Sequence, residues 1–147
     1  MTSHEAVVTA SERETFALGE KLARTLQPGT FVLLHGDLGS GKTAFVRGLA
    51  SGLGIDPGEV SSPTFVLIQH YRGRVPLTHV DLYRLDSERA VDDLGLEELA
   101  AGGILAVEWA DRMPRPVEGS VTVRIEDAGG DTRRITIEGE GTTRGKG

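Results

Sequence analysis

The chain has 147 residues, the usual size of a single domain that can bury its own hydrophobic core. Its net charge of −6 argues against a protein that binds nucleic acid unaided, because such proteins need a basic surface. The absence of cysteine excludes disulfides, thiolate metal sites and cysteine nucleophiles, and the four histidines lack the spacing of metal ligands.

The sequence contains no apolar run long enough to cross a membrane, which requires about 18 residues. Its N-terminus lacks the basic region followed by an apolar stretch that marks a secretion signal. We therefore expect a cytoplasmic protein that makes no contact with a membrane.

The first expected elements are a strand and a helix. Residues 7–9 favour a short strand. Ser11 is followed three residues later by Glu14, which is the spacing of a capping box and predicts the start of a helix. The helix is expected to turn four apolar side chains toward the core: Phe16, Leu18, Leu22 and Leu26. Pro28 and Gly29 predict its end.

A buried strand, a loop and a second helix follow. Residues 31–34 are all apolar, which is typical of a strand buried on both faces. Residues 36–41 are predicted to form a loop because they are rich in glycine. Residues 43–53 favour a helix that ends near Gly54 and Pro57.

The second half of the chain alternates strands and helices. Strands are predicted over residues 65–71, 75–83 and 104–107, and a helix with a break at Gly95 over residues 87–100. Such alternation predicts an α/β fold with a mostly parallel sheet flanked by helices.

The C-terminal part predicts a β-hairpin. Residues 121–126 and 132–138 alternate apolar and polar side chains on either side of a turn rich in glycine and aspartate. We therefore predict a single domain over residues 1–138. Residues 139–147 are polar and rich in glycine, which favours a disordered tail.

Residues 36–43 match the phosphate-binding pattern G-x-x-x-x-G-K-[ST] at every position. Glycines let backbone N–H groups turn toward phosphate oxygens, and the helix that follows directs its positive end at them. Lys42 would place a cation at the β- and γ-phosphates, and the Thr43 hydroxyl can ligate Mg²⁺.

The setting of this pattern between a buried strand and a helix disfavours a chance glycine-rich turn. We therefore predict a P-loop fold that binds ATP with Mg²⁺. The predicted nucleotide-binding residues of the loop are Gly36, Asp37, Leu38, Gly39, Ser40, Gly41, Lys42 and Thr43.

Asp81 and Glu108 each end a predicted inner strand. Because the carboxyl ends of parallel strands meet where such folds bind ligands, we expect both acids to face the nucleotide. The predicted metal ligands are thus Thr43, Asp81 and Glu108, and the predicted catalytic residues are Lys42, Asp81 and Glu108. Taken singly, Asp81 could instead cap the next turn, and Glu108 could be an exposed acid beside Trp109.

Thr64 belongs to a loop between the second helix and the next strand. As a switch residue it would sense the γ-phosphate through Mg²⁺. The alternative is a rigid turn made by Pro63, and the sequence favours neither interpretation.

Four motifs occur together in a characteristic order and spacing: residues 35–43, Ser62-Pro63-Thr64-Phe65, residues 79–85 and Val107-Glu108-Trp109. In this combination the chain resembles the TsaE family, the ATPase component of bacterial tRNA threonylcarbamoyladenosine synthesis. Residues 81–85 and the Glu-Trp pair are more specific than the phosphate loop. The resemblance extends from about Val7 to Glu138 and leaves out the tail.

The resemblance implies Mg²⁺-dependent ATP binding and slow ATP hydrolysis. It also implies TsaB and TsaD as partners, a pair that transfers threonylcarbamoyl to adenosine 37 of tRNA. Contact with tRNA would then be indirect, through that complex.

The same resemblance assigns roles to single residues. Lys42 holds phosphates, Thr43 and Glu108 ligate Mg²⁺, and Asp81 is a metal contact or a base that orients water. Thr64 matches the switch-like threonine of the family.

Further residues match positions of the family on the nucleotide side. Glu12 and Thr15, which open the first helix, match positions near the adenine. Trp109 completes the predicted nucleotide-binding residues.

Three other functions remain to be weighed. A small-molecule P-loop kinase would need an acceptor site and usually an arginine-bearing lid, and no lid insertion is evident. A GTPase would need Asn-Lys-x-Asp to recognise guanine, and the chain contains no asparagine. A nucleotide-gated interaction module remains open, because the same phosphate loop would serve it.

Overall fold

The computed structural model of the chain describes residues 3–36, 41–60, 68–82, 85, 87–110, 113, 117 and 119–139. The strands in these residues are β1 (Ser3–Thr9), β2 (Phe31–Gly36), β3 (Ile68–Tyr71), β4 (Leu77–Asp81), β5 (Ile104–Glu108), β6 (Val121–Asp127) and β7 (Arg133–Gly139). The helices are α1 (Glu12–Ala23), α2 (Lys42–Gly52), α3 (Glu88–Asp92) and α4 (Leu96–Ala100), with a short 3-10 helix at Pro57–Glu59.

The strands form one mixed sheet in the order β1-β7-β6-β2-β5-β4-β3. The four central strands β6, β2, β5 and β4 pair in parallel, and the outer pairings are antiparallel. Short turns join β3 to β4 and β6 to β7, and a short turn can connect only antiparallel strands. The predicted α/β fold and C-terminal hairpin are confirmed, and the parallel pairings lie at the centre of the sheet.

Each face of the sheet covers a hydrophobic core. On one face, buried residues of the strands pack against α2, against the predicted Leu18 and Leu22 of α1, and against the predicted Leu26, which follows the end of α1. The other face packs against α3 and α4. Residues 104–107 of β5 are all buried, because alternate side chains enter opposite cores.

Local signals in the sequence agree with the start of α1 and with the break at Gly95, but α1 ends at Ala23, before the end that Pro28 and Gly29 predict. Ser11 caps α1 by accepting a hydrogen bond of 3.2 Å from the Glu14 backbone N–H, while Glu14 accepts one of 2.7 Å from Ala10 N–H. The helical stretch that was predicted over residues 87–100 is divided at Gly95, whose φ is 68°. Both features confirm the prediction.

The ends of three predicted segments fall outside the described residues. The structure describes the strand predicted over 65–71 only from Ile68. The strand predicted over 75–83 is shorter: β4 begins at Leu77, directly after Pro76, and ends at Asp81, while residue 83 lies outside the described residues. Strand β7 continues to Gly139, which pairs with Ser3 and Val121, so this residue belongs to the sheet. The predicted tail over residues 140–147 lies outside the described part of the chain. No helix within the described ranges is long and apolar enough to cross a membrane.

Helices α1 and α2 pack with their backbones almost in contact. A Cβ atom on Gly48 would overlap the Phe16 carbonyl oxygen, and one on Gly52 would lie 2.7 Å from the Glu20 carbonyl oxygen. The Ser51 hydroxyl adds a hydrogen bond of 2.6 Å to the Glu20 carboxylate. These contacts set the position of α2, and therefore of Lys42 at its first residue.

We expect Gly48→Ala to lower the free energy of unfolding by about 1–3 kcal/mol, the usual cost of overpacking. Alanine favours a helix over glycine by about 1 kcal/mol, so any loss would come from the contact with α1. Urea unfolding measures the change. Gly58→Ala is the control, because among the described residues its Cβ would meet the Asp56 side chain, at 3.2 Å, and no backbone atom. Equal stability of the two variants would contradict the close packing.

Candidate functional site

Three parallel strands end at the same edge of the sheet. Strand β2 ends at Gly36, β4 at Asp81 and β5 at Glu108. In register, Glu108 stands between Asp81 on one neighbour and Leu34 on the other. Paired residues of adjacent strands direct their side chains to the same face. The two carboxylates are therefore neighbours on the face that packs against α2.

Helix α2 begins at this edge. It is preceded by Gly41, whose φ of 105° is a left-handed conformation that favours glycine. The N-terminus of a helix carries partial positive charge and N–H groups that suit an anion. Four residues of the predicted loop, and the predicted switch residue, lie outside the described residues: Asp37, Leu38, Gly39, Ser40 and Thr64.

A chain of polar contacts links α2 to the three strands β2, β5 and β4. Lys42 Nζ donates a hydrogen bond of 2.8 Å to the Gly36 carbonyl oxygen and lies 3.5 Å from Glu108 Oε1. The second carboxylate oxygen, Oε2, accepts a hydrogen bond of 2.7 Å from His79 Nε2. Glu108 is 8% exposed and His79 only 1%. The structure thus brings the predicted Lys42 and Glu108 together and adds a buried histidine.

Glu108 is held in its ionised form. Burial raises its pKa, but the hydrogen bond and electrostatic attraction of His79, with the charge of Lys42, lower it further than burial raises it. The pKa of Glu108 therefore lies below the ordinary glutamate value. The carboxylate stays negative at neutral pH, as a metal ligand must.

Trp109 follows Glu108 directly and reaches the same place. Its φ of 60° is the single positive value at a non-glycine residue in the described part of the chain. Such a backbone is strained for a bulky residue. Trp109 is 39% exposed, and Lys42 Nζ lies 6.0 Å from the centroid of its ring, at the outer limit of a cation–π contact.

The remaining predicted residues fall into two groups. Thr43 and Asp81 are both half-buried. Thr43 follows Lys42 in the first turn of α2, and Asp81 pairs in register with Glu108. Glu12 and Thr15 lie in the first turn of α1: Glu12 is exposed, whereas Thr15 is buried with its hydroxyl 2.8 Å from that of Thr9. Among the described residues, no hydrogen bond or ion pair joins these two to Lys42 or Glu108.

Two residues near the site were not singled out from the sequence. His79 lies two residues before Asp81 in β4, so strand periodicity already places both side chains on one face. Arg133 was not foreseeable: a Cβ on Gly41 would lie 3.6 Å from its Nε, but β7 and α2 approach only in the tertiary structure.

The donor set suits a hard cation. The Thr43 hydroxyl and the carboxylates of Asp81 and Glu108 supply oxygen ligands, which Mg²⁺ prefers. No group of three His, Asp or Glu side chains in the described ranges lies close enough to hold a metal by itself. Mg²⁺ usually takes only one or two carboxylates and completes its coordination with water and phosphate oxygens. These residues thus fit a Mg²⁺ ion that arrives with a nucleotide.

The lowered pKa of Glu108 predicts how acid affects stability. Its ionised form stabilises the folded state above the ordinary glutamate pKa, and this contribution is lost as the pH falls through the lowered folded-state value. Each pH unit of lowering is worth about 1.4 kcal/mol. The free energy of unfolding, from urea titrations between about pH 7 and about pH 3, should therefore decline less in Glu108→Gln than in the unaltered protein.

The control for this experiment is Glu5→Gln, at an exposed position in β1. It should decline with pH as the unaltered protein does. If the free energy of unfolding declines equally with pH in Glu108→Gln and in the unaltered protein, then the Glu108 carboxylate is not stabilised by Lys42 and His79 on folding.

Comparison with known proteins identifies relatives along almost the whole chain. Residues 9–135 match the family model described as "Threonylcarbamoyl adenosine biosynthesis protein TsaE". The tRNA threonylcarbamoyladenosine biosynthesis protein TsaE of Treponema pallidum is 40% identical over 132 residues, which cover 88% of this chain and 97% of that protein. The protein of the same name from Bacillus subtilis is 41% identical over 136 residues, 90% of this chain and 84% of the relative.

A solved structure agrees with the sequence relatives. The crystal structure of YdiB from Bacillus subtilis superimposes with a TM-score of 0.72 at 32% sequence identity, covering 95% of this chain and 87% of YdiB. Residues 9–135, which match the family model, include Lys42, His79, Asp81 and Glu108. The chain therefore belongs to the TsaE family, whose members take part in the biosynthesis of threonylcarbamoyladenosine in tRNA.

Proposed function

We propose that the chain is a Mg²⁺-dependent ATP-binding protein and weak ATPase that supports the threonylcarbamoyl transferase pair TsaB–TsaD in modifying adenosine 37 of tRNA. One observation carries the ATP-binding part: Lys42, the first residue of α2, lies 3.5 Å from Glu108 at the ends of the parallel strands. A cation at a helix N-terminus, next to strand-end acids, is suited to a phosphate chain with its metal. Family membership supports the role in tRNA modification.

Lys42 would hold the phosphates. Its side chain is 11% exposed, and its polar contacts among the described residues are with the Gly36 carbonyl oxygen and the Glu108 carboxylate. Phosphate oxygens are charged acceptors, so they would compete well with the Gly36 carbonyl for the ammonium group. Together with the N-terminus of α2, Lys42 would fix the phosphate chain over the strand ends.

Thr43, Asp81 and Glu108 would hold Mg²⁺. When bound, the ion would neutralise phosphate charge and polarise the reacting phosphoryl group. Glu108 keeps capacity for it, because the 3.5 Å separation from Lys42 is longer than a charge-assisted hydrogen bond of about 2.8 Å. Asp81, half-buried beside Glu108, would either complete the metal ligands or orient the attacking water.

The nucleoside would extend toward Trp109 and the start of α1. The exposed part of the Trp109 ring offers an apolar surface beside Lys42. Glu12 is exposed and available for polar contact. Thr15 is buried and bonded to Thr9, so it would act by holding the start of α1 in place.

The proposed partners, TsaB and TsaD, are inferred from membership of the TsaE family and from the net charge of the chain. A chain of net charge −6 is poorly suited to bind tRNA alone, so its contribution to tRNA modification would pass through TsaB and TsaD. A role in tRNA modification is consistent with work in the cytoplasm.

Removal of the Lys42 cation should weaken ATP binding. A charge-assisted contact is worth about 1.5–3 kcal/mol, so Lys42→Ala should bind ATP about 10- to 150-fold more weakly. Calorimetry with Mg²⁺ and ATP measures the change. Lys21→Ala, at an exposed position of α1, should bind as the unaltered protein does. Unchanged affinity in a folded Lys42→Ala variant would refute the phosphate-binding role.

Neutral substitutions of Asp81 and Glu108 should impair ATP hydrolysis, whereas Lys42→Ala should impair ATP binding. Asp81→Asn and Glu108→Gln keep their size, and the loop and Lys42 still hold phosphate, so ATP binding should survive. Phosphate release, measured with TsaB and TsaD present, should fall by at least about 100-fold, because metal placement and water orientation act mainly in the transition state. Thermal melts and co-precipitation with the partners are recorded on the same samples.

Two exposed acids near α3 and α4 serve as matched controls, Asp93→Asn and Glu97→Gln, and should release phosphate normally. Normal turnover with a lowered melting temperature in Asp81→Asn and Glu108→Gln would show that these acids only stabilise the fold. If these two variants lose turnover but still co-precipitate with TsaB and TsaD when ATP is present, then ATP hydrolysis is separate from nucleotide-gated binding of the partners.

A further inference from the structure

His79 is a buried imidazole that the proposed roles leave unused. It lies in the middle of β4, is 1% exposed, and pairs in register with Gln69 of β3 and Ala106 of β5. Polar side chains are rarely buried so completely unless their hydrogen bonds are satisfied. The hydrogen bonds of the His79 imidazole therefore indicate why this position carries a histidine.

Among the described residues, one of the two ring nitrogens has a hydrogen-bond partner and the other has none. Nε2 donates to Glu108 Oε2 at 2.7 Å, since a carboxylate can only accept. Nδ1 is buried and has no hydrogen-bond partner in the described part of the chain. An unsatisfied buried nitrogen destabilises the fold, so an apolar side chain would fill this space at lower cost. The bond to Glu108 is thus the contact that a histidine supplies and an apolar residue would not.

This bond determines how the Glu108 carboxylate is presented. With Oε2 held by His79, the plane of the carboxylate is restrained and Oε1 is turned toward Lys42, 3.5 Å away. Asp81 stands beside Glu108 in register and two residues beyond His79 in β4, so all three side chains share one face. One strand therefore carries both an acid of the site and the residue that orients the other acid.

We propose that His79 is a positioning residue, which holds the carboxylate of Glu108 through Nε2 so that Oε1 is ready to ligate Mg²⁺. The inference rests on the proposed function, because it gives Glu108 its metal. Residues that do not touch the metal but orient one of its ligands usually raise the metal affinity, because the ligand would otherwise have to be ordered when the ion binds. His79 itself touches neither nucleotide nor metal.

Two substitutions separate orientation from simple packing. Glutamine places an amide nitrogen close to where His79 Nε2 lies, whereas asparagine places it near Nδ1, which has no partner to lose. Trp109 is the only tryptophan of the chain and adjoins Glu108, so its fluorescence can follow Mg²⁺ titrated into the protein with ATP. His79→Asn should raise the half-saturating Mg²⁺ concentration about 10- to 100-fold, and His79→Gln should recover most of that loss.

Controls exclude a general effect on the fold. ATP binding without Mg²⁺ and the thermal melt should change much less than the Mg²⁺ requirement, whereas a purely structural role would change all three together. His70→Asn, on the neighbouring strand β3 and bonded to Thr78, should leave the Mg²⁺ requirement as it is. If His79→Asn fails to fold, His79→Leu replaces it, because leucine fills the space without a donor.

The double variant with Glu108→Gln completes the experiment. If His79 acts through Glu108, His79→Asn should add little to the effect of Glu108→Gln. Equal Mg²⁺ requirements for His79→Asn and the unaltered protein, with a raised requirement in Glu108→Gln, would overturn the role of His79 alone. Absence of any Mg²⁺ effect in both the unaltered protein and Glu108→Gln would overturn the proposed function, and this inference with it.

Discussion

The buried carboxylate of Glu108 is the constraint on which this edge of the sheet depends. A charge taken out of water is costly unless opposite charge and hydrogen bonds surround it. Here Lys42 approaches one oxygen and His79 bonds the other. The lysine must therefore stay at the start of α2 and the histidine inside β4. The same negative charge that demands these partners suits the site to a cation.

The position of Lys42 depends in turn on the packing of two helices away from the site. Glycines of α2 let its backbone lie against α1, where any side chain would force the helices apart. A displacement of α2 by even the width of a methyl group would carry Lys42 away from Glu108. Stability of the helix pair and geometry of the polar cluster are thus two results of one contact.

The sequence by itself determined the local elements of this protein. Continuous apolar runs predicted the strands that contribute side chains to both cores, because this pattern is visible within a single segment of the sequence. Ser11 and Glu14 predicted the start of α1, and Gly95 the break between α3 and α4, because caps and left-handed turns depend on neighbouring residues. The strand-end positions of Asp81 and Glu108 predicted that both acids would face the nucleotide, and the register places these two residues side by side. The roles of the loop residues 37–40 and of Thr64 remain predictions.

Only the tertiary structure decided how these elements meet. The hydrogen bond between His79 and Glu108 joins residues 29 positions apart, and it exists because β4 and β5 are neighbours in a parallel register. The approach of Arg133 to Gly41 depends on β7 lying two places from β2 in the sheet. Strand order and helix packing arise from burial summed over the whole domain, so no local pattern encodes them. For this reason the sequence indicated which acid belongs to the site but not which histidine holds it.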